Sequence, residues 1–188
     1  FYKVVFPVWV KGDDLKECKT EMRQTRQNQR MLQEEERLKL ILEAVKYCQK
    51  VSLLGMPKAC YSKALREPIY FLWESYGRKK TQAARYCSES SLACTYGNRD
   101  LVYDHAIPFK YIQEELLKIV NPNVDNVKHV LEIYQVACLV TKEEDALLTS
   151  MGLRSRMPTI DGEISCLARY EAAGIKVIAN PDYVSNRV

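Results

Sequence analysis

The sequence predicts an α+β fold: a mostly helical domain with a small β-hairpin-plus-helix unit of ββα type, preceded by a long N-terminal helix. Three observations predict it. Residues 15–54 contain neither proline nor glycine, so nothing local interrupts a helix there. Two β-type runs, Leu101–Tyr103 and Ile133–Val140, flank a helical pattern. Finally, Thr141-Lys-Glu-Glu144 has the form of a capping box that opens a helix.

The elements follow in chain order. Phe1 to Val10 is apolar but broken by Pro7, and it lacks a small-residue cleavage signature. It reads as a strand or docking segment. Gly12-Asp13-Asp14 is a turn and helix cap. In the helix that follows, positions 15, 18, 22, 25, 29 and 32 form a heptad-like stripe with two polar members. Leu38, Ile41, Leu42, Val45 and Cys48 keep helical spacing and predict a core-facing side. The first half then projects and the second half packs. This suggests a division into residues 1–55, a strand and helical arm, and residues 56–188, the α+β domain. A projecting helix over 15–50 suits a homodimer or a partner protein.

Gly55-Met-Pro57 breaks the run. A short helix over Ser62–Arg66 is expected, then one with Pro68 in its first turn and a core face of Leu65, Ile69, Leu72, Trp73 and Tyr76. Thr81–Leu92 reads as helical, and Gly97-Asn98 as a turn. Phe109–Val120 is amphipathic, Asn121-Pro-Asn123 stops it, and Asp125 is expected to cap a helix to about Leu131. Lys142–Met151 ends at Gly152, a residue suited to the left-handed stop. A last helix is expected over about Glu163–Ala173, and a short strand over Ile175–Ile178.

Composition narrows function only a little. The net charge is +4, from 28 basic and 24 acidic residues, which permits nucleic-acid binding without requiring it. Seven cysteines, odd in number and without a Cys-x-x-Cys pair, suggest free thiols in a reducing, cytoplasmic setting. No apolar run approaches the ~20 residues of a membrane span.

The place to look for chemistry is Leu101-Val-Tyr-Asp-His-Ala-Ile-Pro108. A histidine titrates near neutrality and can activate a water. Adjacent strand residues point to opposite faces, so the strand must end or twist if Asp104 and His105 are to act together. Asp104-His105 with Pro108 after it, followed by Leu139-Val-Thr-Lys-Glu-Glu-Asp145 entering a helix, resembles the HNH family of ββα-metal nucleases. The resemblance covers residues 101–151. It implies an endonuclease acting on DNA or RNA, in a restriction, phage-defence or toxin context. His105 would be the general base, and Asp104 and Asp145, with Glu144 as an alternative, would hold Mg²⁺ or Mn²⁺. Asp145 stands where the family places His or Asn. Arg99, Arg154 and Arg156 are candidate phosphate-binding residues, with Arg78-Lys-Lys80 and Arg85 nearby in sequence. Two plainer readings stand beside this one. Carboxylates in a first helical turn also follow from the helix dipole. The alternative function is a non-catalytic nucleic-acid-binding or protein-interaction module using the long helix.

Overall fold

The computed structural model describes residues 32–94, 100–158 and 165–185. The apolar start, the heptad-like stripe up to position 29, the Gly97-Asn98 turn and Arg99 lie outside these residues.

The fold is α+β, and its long helix begins at Glu34, behind the cap Gln33, inside the stretch 15–54 read as helical. Helix α1, Glu34–Leu53, buries Leu38, Ile41, Leu42, Val45, Cys48 and Val51 along one face. Three glutamates in its first turn face the positive end of the helix dipole. This face packs on α2 (Lys58–Pro68), on the turn Ile69–Glu74, and on α5 (Phe109–Lys118) and α6 (Val124–Tyr134). Residues 34–53 belong to the same compact unit as the described residues that follow.

The sheet has four strands in the order β2-β3-β1-β4. Strand β2 (Leu101–His105) pairs antiparallel with β3 (Ala137–Thr141), with Leu101 opposite Thr141 and His105 opposite Ala137. Strand β1 (Tyr86–Ser88) runs parallel to β3, and β4 (Val177–Ala179) runs antiparallel to β1. Short helices α3 (Lys80–Ala83) and α4 (Glu89–Leu92) flank β1. The expected hairpin is thus one half of a mixed sheet, and α5 and α6 connect its two strands. Between those helices Asn121 adopts φ 56°, a left-handed conformation that asparagine tolerates. The cap of α6 is Asn123, not Asp125. Its side chain accepts from Asn126 N–H at 2.9 Å, while Asn126 reciprocates, and the helix runs on to Tyr134.

Two faces of the sheet carry separate cores. Cys138 and Val140 pack with Leu148 of α7 (Lys142–Ser150) and Tyr170 of α8 (Ala168–Ala172). Ala137 and Leu139 pack on the other side with Ala84, Cys87 and Tyr103. Period-two alternation therefore sends neighbouring residues of β2 and β3 into different surroundings. No helix among the described residues is long and apolar enough to cross a membrane.

Candidate functional site

Two segments far apart in sequence meet at the end of β2. Residues Ile69–Glu74 form a π turn, in which Ser75 N–H donates to Tyr70 C=O at 2.8 Å across five residues. Such wide turns recur at functional sites because they change the phase of the helix. Here the turn buries both Trp73 and Glu74, the latter to 5 % exposure. Nε2 of His105 lies 2.9 Å from Oε2 of Glu74. The Gln135 side-chain amide donates to the same oxygen from the end of α6. In the tautomer whose Nε2–H donates to this carboxylate, the lone pair of the ring is on Nδ1.

Tyr103 lies two residues back on the same face of β2. Its ring meets the imidazole edge-on, 5.7 Å between centroids at 90°. Burial, and then the adjacent charge of Glu74, holds its phenol well above the ordinary tyrosine range, so the ring stays neutral. Behind this group is a cavity of about 60 Å³, lined in part by Glu74, Arg78, Tyr103, Gln135 and Tyr183. Glu74 Oε1, Arg78 Nε, Tyr103 Oη and Gln135 Oε1 are buried there without a protein hydrogen-bond partner. The Arg78 guanidinium bridges the carbonyls of Glu74 and Val184.

In front of the imidazole is a larger groove, about 450 Å³, lined by His105, Lys63, Arg66, Glu67 and Lys80 and by the rings of Tyr70, Phe71, Tyr103 and Phe109. The His105 side chain is 21 % exposed. Phe71 is 60 % exposed, and Arg66 stands 5.8 Å over the ring of Phe109. Flat apolar faces interleaved with cations suit a ligand that is itself aromatic and anionic.

The strand neither ends nor twists between Asp104 and His105. Both residues stay in register with β3, so their side chains leave on opposite faces. Asp104 accepts from Tyr170 Oη at 2.8 Å and pairs with Arg169 at 3.2 Å. Burial lifts its carboxyl above the usual range, and Arg169 and Tyr170 draw it only part of the way back. Glu144 completes the predicted capping box: its carboxylate accepts from Thr141 N–H at 2.8 Å and from Ser88 Oγ at 2.6 Å. Asp145 is half-buried, and its charge is felt at Asp104. Asp104 and Glu144 are committed to the protein's own donors, and Asp104 leaves β2 on the face opposite His105. They do not fit a shared Mg²⁺ or Mn²⁺ site with it, and among the described residues no three His, Cys, Asp or Glu side chains converge on one point. Arg154 and Arg156 are exposed after α7, and neither lines the groove. The buried Arg169 instead holds the backbone under the site, donating to the carbonyls of His105 at 2.6 Å and Leu153 at 2.7 Å.

The sequence reading singled out His105 and missed Glu74, Gln135, Lys63 and Arg66. The signal for Glu74 was a lone carboxylate at the end of the apolar run Ile69-Tyr-Phe-Leu-Trp-Glu74. Gln135 likewise interrupts the apolar stretch from Ile133 to Val140. Comparison with protein-family models, with curated proteins and with solved structures finds no match to this chain.

Proposed function

We propose that the protein is a phosphodiesterase acting on single-stranded nucleic acid, with His105 as its general base. One observation carries this reading: the Glu74–His105 contact in the wall of a groove rimmed by Lys63, Arg66 and Lys80. Cleaving a phosphodiester requires a proton acceptor near neutrality and positive charge against the phosphoryl oxygens. Glu74 fixes the tautomer of His105 and stabilises the imidazolium that forms once Nδ1 takes a proton, as a carboxylate does behind a catalytic histidine. The lysines and the arginine supply the charge. Phe71 and Phe109 offer faces for unstacked bases, which favours a single strand over a duplex.

The test is cleavage of single-stranded RNA and DNA by the purified protein, with Mg²⁺, with Mn²⁺ and with EDTA. Wild type should cut, and His105→Ala should lose about 10²–10⁴-fold in rate, the usual contribution of a positioned acid–base group. Glu74→Gln should lower kcat with little change in KM, because it alters the base and not the groove. Lys63→Ala with Arg66→Ala should weaken binding and flatten its salt dependence. Binding without cleavage of either polymer under all three conditions would make the groove a binding site only.

A further inference from the structure

We infer that the substrate is RNA and that the attacking nucleophile is its own 2′-hydroxyl, not water. This rests on the reading of the groove given above and narrows it to one chemistry.

The charges around the base decide between the two nucleophiles. Water is a very weak acid, and enzymes that use it on phosphodiesters commonly strengthen it with a cation held by several carboxylates. The groups around the open side of His105 are of the opposite kind. Lys63, Arg66 and Lys80 are cations, and Glu67 is the one carboxylate besides Glu74 on that groove. The Glu74 oxygen nearest the ring is already shared by the His105 imidazole and the Gln135 amide. Such a set binds the anionic phosphate directly. A ribose 2′-hydroxyl needs no activation by a metal to be effective, because it is already held next to phosphorus. Effective molarities for such intramolecular attack reach about 10⁵–10⁸ M.

The step balances as follows. Nδ1 of His105 takes the 2′-hydroxyl proton. The 2′-oxygen forms a bond to phosphorus, and the bond from phosphorus to the 5′-oxygen breaks. That oxygen leaves with a proton from solvent while Lys63, Arg66 and Lys80 offset the charge on the phosphoryl oxygens. The products are a 2′,3′-cyclic phosphate and a 5′-hydroxyl, and the imidazolium then returns its proton to solvent. Glu74 acts on the base through its contact with Nε2 and is a positioning residue.

The deciding experiment uses a single-stranded DNA oligonucleotide with one internal ribonucleotide, alongside its all-DNA and 2′-O-methyl counterparts, in EDTA and in Mg²⁺. Cleavage is expected only on the 3′ side of the ribonucleotide, at similar rates in both buffers, with a 2′,3′-cyclic phosphate seen by mass. The 2′-O-methyl strand should bind without being cut. His105→Ala should cut at least about 100-fold more slowly while its circular dichroism spectrum and thermal melt stay close to those of wild type, which shows that the variant is folded. Equal cutting of the all-DNA strand, or products ending in a free 3′-hydroxyl and a 5′-phosphate, overturns the 2′-hydroxyl mechanism but leaves a phosphodiesterase. Failure to cut any of these strands or single-stranded RNA overturns both.

Discussion

Asp104 and His105 are neighbours in sequence whose side chains never share a task. His105 meets a carboxylate at the wall of the groove, and Asp104 is held by Tyr170 and Arg169 on the opposite face. Because burial raises the Asp104 carboxyl in the folded protein, the protonated form is the one that folding favours. Its contribution to stability is present below the unfolded value of 3.8 and is lost as pH rises through the higher folded value. Asp104→Asn holds the side chain neutral throughout. Thermal melts of the two proteins from pH 4 to 7 should show wild type losing ground to the variant as pH rises. A constant difference across that window would mean that Arg169 fully offsets the burial. At this scale the sequence made His105 legible, because it is one of two histidines and lies at the end of a β-type run. It hid Glu74, because a regular α-helical phase carried through Trp73 gives no reason to turn a carboxylate inward.

Elements defined by local chemistry were legible, and those defined by distant pairing were not. The capping box at Thr141 is local: Thr141 Oγ1 accepts from Glu144 N–H at 3.2 Å, and the helix behind it begins where the sequence places it. Thr141→Ala should cost about 1 kcal/mol, read from denaturant midpoints. The loss should exceed that of an exposed cap, since this threonine is buried and Glu144 would keep its bond to Ser88 without the reciprocal one. An unchanged midpoint would show that the Glu144 half of the box suffices. Strand β1 illustrates the opposite case. Tyr86-Cys-Ser88 spans three residues inside a stretch that reads as helix, and only β3 and β4 on either side make it a strand. The π turn escaped for a similar reason: its extra residue per turn leaves no mark in the composition.

Across the whole molecule, burial orders the six cysteines described. Cys60 is exposed, while Cys48, Cys87 and Cys138 are buried and unpaired. Burial pushes all three of those thiols up, Cys138 most strongly, so the reactive thiolate is scarce as well as shielded. A thiol reagent followed by peptide mass analysis should modify Cys60 at once, and Cys138 only as fast as the sheet opens. Equal labelling of Cys60 and Cys138 would mean that the sheet does not hold its centre closed. The Arg78 guanidinium, which ties the carbonyl of Glu74 to that of Val184, joins the site to the far end of the described chain. Glu74, His105, Gln135 and Val184 leave the ribosome in that order. A nascent chain that stops before Gln135 lacks part of the dyad's support, and one that stops before Val184 lacks the anchor beneath its carboxylate. Prematurely terminated products therefore lack the Gln135 contact to Glu74, the Val184 tie of Arg78, or both.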